Sequence, residues 1–402
     1  MTKNIRFLAF DNGMENWRRQ EEIKSWKELS TEVIEARKGK PAELVDIDAE
    51  IISKIEERLT DWCETGSFGR DGEYSSLYEK KLKLNQKQEV IDYRENMHKA
   101  KGSRQKIWIQ QLMNTVLSFF DEELKKYKNT TENDIFVLML PEFFWADIVD
   151  HIQLYHIKRN DMGIAGYVSP LYEESYKLLL DSGNIIAKWM KDQKKNIIFF
   201  AGTAMHKEIN DDPMKEKIYN TLLIYSVKKD DAVQISTWNK VNYSPIDGFM
   251  VNGHVVRNKI PHEEKKEVIG VGEKALEKPS INYEGLVFSF DICLDYAITV
   301  DGYSESRKLL NPQEAEFNIL IAGGMPIMNP YDSIEKKSAN CVVRCDKEQF
   351  QADRNIPWNE ACCSVRVGET IQDMNVIDGT RIRYVNFKVY IEGNSKKIVM
   401  VK

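Results

Sequence analysis

The sequence feature that most constrains the fold is a series of short, continuous apolar segments. The clearest is Ile135–Leu140, in which all six residues are apolar. A strand with one solvated face alternates apolar and polar residues, whereas a continuous apolar run is typical of a strand buried on both faces. The chain is therefore predicted to contain a sheet that is covered on both sides.

Similar segments predict the other strands, and two segments with apolar residues at helical spacing predict helices. The predicted helices are Gln105–Tyr127 and Ser182–Lys191. The further predicted strands are Ile5–Phe10, Asn196–Ala201, Tyr219–Ser226, Ala232–Lys240, Leu286–Ile292, Asn318–Ala322, Cys341–Arg344 and Tyr384–Ile391. Because the early strands alternate with helices and the later ones follow one another, we expect an α/β fold with helices over the sheets.

Residues 15–100 interrupt this pattern. They are rich in Glu, Lys and Arg, and their apolar residues recur at helical spacing around 45–59 and 91–97. We interpret this segment as a helical insertion in one domain that spans residues 1–402.

Charge and hydropathy argue against two classes of partner. The formal net charge is −6, and lysines are interleaved with glutamates, so no basic stripe for nucleic acid is present. No apolar run approaches the length of a membrane span, and the N-terminal one is too short for a secretory signal. We therefore expect a cytoplasmic protein that binds neither nucleic acid nor membrane, although a signal for a specialised bacterial secretion system would escape these criteria.

The cysteines do not indicate a disulfide or metal scaffold. Six cysteines in 402 residues are too few for a disulfide framework. Cys341, Cys345, Cys362 and Cys363 lack C-x-x-C spacing and a nearby histidine, so buried thiols are favoured over a zinc site. We predict no metal and no cofactor.

Three residues with complementary chemistry each follow a predicted strand, namely Glu142, Lys240 and Cys293. Sites in α/β folds gather at strand ends. A thiolate attacks a carbonyl or nitrile carbon, a carboxylate accepts its proton and later activates water, and an ammonium group stabilises the thiolate and the oxyanion. Each residue alone is more typical of a surface charge or a core thiol, but together they predict a nucleophilic site.

The segments Pro141–Phe144, Lys240–Pro245 and Asp291–Asp295 resemble, in order, the three signatures of the nitrilase, or carbon–nitrogen hydrolase, superfamily. Gly202 and Thr203 after their strand resemble a further family feature. The resemblance covers residues 1–14 and 102–330 well and the C-terminal part poorly. It implies a four-layer αββα sandwich.

The same resemblance implies a reaction and roles for individual residues. Cys293 would be the nucleophile, Glu142 the general base and Lys240 the oxyanion stabiliser, with the backbone N–H of Leu294 beside it. Phe143 is a candidate for the substrate pocket, with ordinary core packing as the alternative. The implied reaction is hydrolysis of a non-peptide amide or carbamoyl bond in a small molecule, through a thioester.

Many members of the superfamily carry a second active-site glutamate between the lysine and the cysteine, and two registers compete here. In one, the position falls at Gly248 and the glutamate is missing. In the other, Pro261–Lys266 resembles a stretch of N-carbamoyl-amino-acid amidohydrolases, which makes Glu264 the second glutamate. We prefer Glu264, against the alternative of a solvated charge run.

Other interpretations stay open. A non-catalytic nitrilase-like scaffold could bind a partner through the 15–100 insertion, or an amidase could act on a protein amide. A papain-like pairing of Cys293 with His254 or His262 lacks the local signature around the cysteine. Asn242 and Ala297 depart from the family pattern and leave the substrate open, while Asp295 favours amides over nitriles. Family members commonly form homodimers, so a homodimer is a possible assembly.

Overall fold

The computed structural model describes residues 1–11, 106, 109–142, 144–145, 178–180, 183–208, 217–229, 231–240, 250–251, 254–255, 273–276, 278–297, 315–323, 327, 341–346, 362–368 and 370–401. The predicted insertion at 15–100 lies outside these residues. So do Phe143, Gly248, His262 and Glu264. The predictions made for them stay predictions.

The described residues form strands with helical segments between them, which include residues 178–180. In chain order the strands are β1 (Thr2–Phe10), β2 (Asp134–Leu140), β3 (Asn196–Glu208), β4 (Lys217–Val227), β5 (Gln234–Asn239), β6 (Met250–Val251), β7 (His254–Val255), β8 (Glu273–Ala275), β9 (Ser280–Tyr283), β10 (Leu286–Ile292), β11 (Phe317–Ala322), β12 (Cys341–Asp346), β13 (Cys363–Val367), β14 (Thr370–Asp373), β15 (Asn375–Val376), β16 (Ile382–Glu392) and β17 (Ser395–Val401). The helices are α1 (109–124), α2 (Gly183–Asp192) and α3 (Leu294–Ala297).

Two mixed sheets of similar plan contain nearly all of these strands. The larger, nine-stranded sheet has the order β15-β16-β1-β2-β3-β4-β5-β8, with β17 also paired to β16. The smaller, six-stranded sheet has the order β14-β13-β12-β11-β10-β9. In each sheet three adjacent parallel strands, β1-β2-β3 or β10-β11-β12, are flanked by antiparallel ones. The carboxyl ends of parallel strands lie at one edge, where side chains from distant segments can meet.

The two sheets pack face to face through one hydrophobic core. Rings from opposite sheets are in contact, with centroids 5.2 Å apart for Phe7 and Phe317 and 5.8 Å for Phe200 and Phe290. The same core extends along the inner faces of both sheets. Burial from both sides therefore explains the continuous apolar run of β2, every residue of which is buried.

Helices α1 and α2 cover the outer face of the larger sheet. Apolar residues of α1 and α2, including Phe120 and Ile186, form a second core with the outward side chains of β1 to β4. Phe120 stacks edge-on against Phe199 at 5.6 Å. These elements make three layers, one helical and two of sheet. The fourth, helical layer of the predicted αββα sandwich stays a prediction, because on the smaller sheet the described helical residues are those of α3.

The structure corrects the predicted strands, and β6 to β9 are additional to them. The strand predicted at Asn196–Ala201 continues through Gly202 and ends at Glu208. The C-terminal part was expected to contribute only β12 and β16, but it also contains β13, β14, β15 and β17. Short strands at the margin of a sheet owe their stability to pairing with a neighbour, and local sequence reports this weakly.

A turn signal could have revealed two of the missed strands. β9 and β10 are joined through Glu284 and Gly285, and β16 and β17 through Gly393 and Asn394. Both glycines adopt positive φ, at 76° and 59°. Two-residue loops of this kind are the strongest short-range signal of a hairpin. Among the described helices, none has the length and apolar character to cross a membrane.

Candidate active site

Glu142 lies directly after β2, at the carboxyl edge of the larger sheet. Its side chain is completely buried. Its backbone N–H donates a hydrogen bond of 3.2 Å to the carbonyl of Ala322, the last residue of β11. The backbone that carries Glu142 is thus attached to the smaller sheet as well as to its own strand.

The turn after Glu142 is held against β3 by Trp145. The indole Nε1 donates to the carbonyl of Ala201 at 2.6 Å. The backbone N–H of Trp145 points to the carbonyl of Thr203 at 3.5 Å. A large buried side chain with its polar atom satisfied is a rigid anchor, so the position of Glu142 is defined on both sides of the turn.

Gly202 is required for this close packing. It has a φ of +70° and lies where the pairing of β3 with β4 is irregular, between Phe200 and Thr203. A Cβ atom at Gly202 would lie 2.7 Å from the carbonyl oxygen of Pro141 and 2.9 Å from Cβ of Phe144. Only glycine fits this conformation and this space. This explains physically why a glycine occupies position 202.

Lys240 lies directly after β5, and it meets Glu142. Its Nζ donates to Oε1 of Glu142 at 2.8 Å, and both side chains are 0% exposed. Removing an ammonium and a carboxylate from water is costly unless the two are paired and further hydrogen bonds are made. A completely buried pair at this edge therefore needs its surroundings to be well ordered.

Asn220, in β4, supplies such a further hydrogen bond. Its side-chain Nδ2 donates to Oε1 of Glu142 at 2.8 Å, and its backbone carbonyl accepts from the N–H of Lys240 at 2.8 Å. Sequence reasoning did not single out Asn220. The available signal was a polar residue within an otherwise apolar predicted strand, a position that demands a hydrogen-bond partner.

Cys293 lies directly after β10, at the corresponding edge of the smaller sheet. Its N–H donates to the carbonyl of Ile321 at 2.9 Å, and its carbonyl accepts from the N–H of Tyr296 at 2.9 Å. Its φ is +46°, which is rare for a residue with a side chain. Such a conformation costs on the order of 1–3 kcal/mol and occurs preferentially at functional sites.

The carboxyl end of β11 connects these residues. Ile321 accepts the hydrogen bond from Cys293, and the next residue, Ala322, accepts the one from Glu142. Two successive carbonyl groups therefore bring the backbones of Cys293 and Glu142 to one place. Because Glu142 is paired with Lys240, ends of strands from both sheets converge there.

The environment of Cys293 is largely apolar. The side chain is 8% exposed and packs in a cluster with Tyr296, Leu320 and Ile327. The Tyr296 hydroxyl donates to the carbonyl of Ile327 at 3.0 Å, so the cluster is ordered. Leu294, predicted to supply an oxyanion donor, is the first residue of α3, and that role stays a prediction.

Four further cysteines lie in the C-terminal part of the chain. Cys341, Cys345, Cys362 and Cys363 are free thiols in or next to β12 and β13. Burial raises the pKa of Cys341 and of Cys362 far above the usual range of a thiol. In the part of the chain that the structure describes, no group of three or more His, Cys, Asp or Glu side chains could hold a metal ion.

No protein-family profile and no curated protein matches the sequence. Similar solved structures include an amidase from Nesterenkonia sp., with a TM-score of 0.38 and 11% identity over 69% of this chain and 84% of that chain. They also include a carbon–nitrogen hydrolase superfamily protein from Xanthomonas campestris that carries an arsenic adduct in its active site, with a TM-score of 0.30 and 11% identity over 67% and 83%.

A glutamine-dependent NAD+ synthetase from Acinetobacter baumannii has a TM-score of 0.31 and 13% identity over 69% of this chain. The aligned region covers 43% of that synthetase, so this chain spans less than half of its length. Structures similar to this chain thus include members of the carbon–nitrogen hydrolase superfamily. At these TM-scores, function has to be inferred from the side chains of the site.

Proposed function

We propose that the chain hydrolyses a non-peptide carbon–nitrogen bond, amide or carbamoyl, through a thioester on Cys293. The observation that supports this most directly is the completely buried pair of Glu142 and Lys240, connected to Cys293 through successive carbonyls of β11. A carboxylate, an ammonium group and a thiol, at strand ends of two sheets that converge, are the groups that acyl transfer to sulfur requires.

In the first half of the reaction, Sγ of Cys293 forms a bond to the substrate carbonyl carbon. Glu142 accepts the thiol proton and then delivers it to the departing amine as the carbon–nitrogen bond breaks. The ammonium group of Lys240 stabilises the negative charge on the tetrahedral intermediate, together with the N–H of Leu294. Fixed charges in a buried site stabilise such an oxyanion far more than they would in water.

In the second half, water attacks the thioester carbon. Glu142 accepts a proton from this water, the carbon–sulfur bond breaks, and the proton returns to the sulfur of Cys293. The carboxylic or carbamic acid leaves and the enzyme is regenerated. One carboxylate therefore acts as base and acid in turn, which suits a group held by fixed hydrogen bonds on a rigid strand end.

The test combines intact mass spectrometry with a panel of simple primary amides and N-carbamoyl amino acids. We expect an adduct on Cys293 whose mass equals the acyl half of the substrate. In Cys293→Ala both adduct and turnover should be lost while the circular dichroism spectrum is unchanged.

Cys341→Ala, which removes a buried thiol of the smaller sheet, is the matched control and should retain the adduct. Full turnover of a substrate by Cys293→Ala would overturn the proposal.

A further inference from the structure

We propose that Asn220 is a positioning residue that orients the Glu142 carboxylate and favours its ionised form, an inference that rests on the proposed function. Asn220 is completely buried, as are Glu142 and Lys240. Its amide Nδ2 lies 2.8 Å from Oε1 of Glu142. Its backbone carbonyl, at the same time, fixes the N–H of Lys240 at 2.8 Å.

Two donors converge on one oxygen of the Glu142 carboxylate. Oε1 of Glu142 accepts from Nδ2 of Asn220 and from Nζ of Lys240, each at 2.8 Å. A carboxylate oxygen has two lone pairs in its plane, so Oε1 is fully engaged. The two donors therefore hold the carboxylate of Glu142 in a constant orientation.

The strand register makes this arrangement specific. β4 and β5 pair with Thr221 opposite Asn239, so Asn220 and Lys240 come next and share the other face of the sheet. Thr221 donates to Asn239 at 2.6 Å on the opposite face. A slip of one residue would exchange the faces and replace Lys240 by Asn239 at the carboxylate.

The neutrality of Asn220 also matters. Its amide stabilises the ionised carboxylate as a donor and adds no third charge to the buried Glu142–Lys240 pair. An aspartate of the same shape would place a second carboxylate against Glu142 and favour the protonated form. The thiol of Cys293 can pass its proton to Glu142 only after that carboxyl group has ionised.

The experiment measures the pH dependence of Cys293 alkylation by iodoacetamide in the full chain, followed by peptide mass spectrometry. In Asn220→Ala we expect the midpoint of the acid limb to move up by about one pH unit. Asn220→Asp should move it further in the same direction. The isosteric Asn220→Asp also serves as the reporter if Asn220→Ala does not fold.

Asn196→Ala is the matched control. Asn196 is buried at the first position of β3, away from Glu142. Its side chain donates to the carbonyl of Glu132 and accepts from the N–H of Lys229, each at 2.9 Å. A purely structural loss of this kind should leave the midpoint where it is in the wild type.

A midpoint unchanged in the Asn220 variants, or moved equally by Asn196→Ala, would overturn the role of Asn220. That result would leave the thioester on Cys293 intact. Conversely, turnover that survives in Cys293→Ala would refute the proposed function itself, so the two failures are distinguishable.

Discussion

At the residue scale, the buried Glu142–Lys240 pair dominates the energetics of the site. Both side chains are 0% exposed, and Nζ of Lys240 lies 2.8 Å from Oε1 of Glu142. Two charges in a low-dielectric interior are tolerated because each neutralises the other, and the amide of Asn220 satisfies the same carboxylate oxygen. Removal of either charge alone leaves the other without compensation.

We expect Lys240→Met to lower the free energy of unfolding by about 3–5 kcal/mol, because the buried carboxylate of Glu142 loses the ammonium group beside it. The double variant Lys240→Met with Glu142→Gln should recover part of this loss, since no charge is left. Urea denaturation of the wild type, both single variants and the double variant gives the coupling energy. Cys293 alkylation should stay impaired in all three variants.

The buried pair of Arg344 and Asp346, 2.7 Å apart and also 0% exposed on both sides, provides a comparison for stability. Arg344→Met should destabilise the protein by a similar amount. If the losses for Lys240→Met and Glu142→Gln simply add in the double variant, the two groups are not energetically coupled and the interpretation is wrong.

At the element scale, the decisive contact is between the irregular part of β3 and the turn that follows β2. Gly202 allows this contact, and Trp145 holds it through the carbonyl of Ala201 at 2.6 Å. Glu142 occupies the same turn, between Pro141 and Trp145. The accuracy of the carboxylate position therefore depends on a backbone feature of a neighbouring strand.

Gly202→Ala should be destabilising by more than about 2 kcal/mol, since it adds a steric clash to an unfavourable positive φ. A new Cβ would lie 2.7 Å from the carbonyl oxygen of Pro141, so the turn must shift and Glu142 with it. We expect slower alkylation of Cys293 together with the loss in stability, measured on the same preparation.

Gly393→Ala is the matched control for backbone strain. Gly393 has a φ of +59° in the loop between β16 and β17, and a Cβ there would meet nothing within 4 Å. This variant should cost only about 1 kcal/mol and leave Cys293 reactivity unchanged. Equal effects of the two substitutions would show that the contact with Pro141 does not matter.

At the scale of the whole molecule, stability depends on the protonation of polar groups buried within the larger sheet. His206 lies in β3 with its Nε2 3.0 Å from Oγ1 of Thr221 and its ring stacked on Tyr219 at 5.2 Å. Burial lowers the pKa of His206 from 6.5 to about 3. The imidazole is thus neutral in the folded protein throughout the pH range in which an exposed histidine becomes charged.

This shift predicts a pH dependence of folding. Between pH 6.5 and about 3 the unfolded chain binds a proton that folded His206 does not. The free energy of unfolding should therefore fall as the pH is lowered through this window, by about 1.4 kcal/mol per pH unit from this group. Denaturation at several pH values, compared with His206→Gln, isolates the contribution of the histidine.

In His206→Gln the decline toward acid pH should be shallower, because glutamine does not titrate. Buried carboxylates contribute to the acid sensitivity of both proteins, so the difference between the two slopes is the relevant quantity. Identical slopes in variant and wild type would contradict the assignment of a neutral buried histidine.

Much of the sheet content could be predicted because β2 and β3 contain the continuous apolar runs 135–140 and 197–201, and burial on both faces demands such runs. Glu142, Lys240 and Cys293 directly follow the ends of β2, β5 and β10, respectively. The strands β13, β14 and β17 were not predicted, since their stability comes from hydrogen bonds to neighbouring strands and not from local preference.

The sequence by itself determined the ends of β2 and β10 and the reactive residues Glu142 and Cys293 that follow them, because strand burial and turn chemistry are properties of short segments. Only the tertiary structure decided that Asn220 and Lys240 share one oxygen of Glu142, which lies 78 and 98 positions earlier in the chain. It also decided that a side chain at position 202 would clash with the carbonyl oxygen of Pro141. These relations depend on the packing and register of separate strands, and distances of a few ångströms between remote segments are set by the whole core.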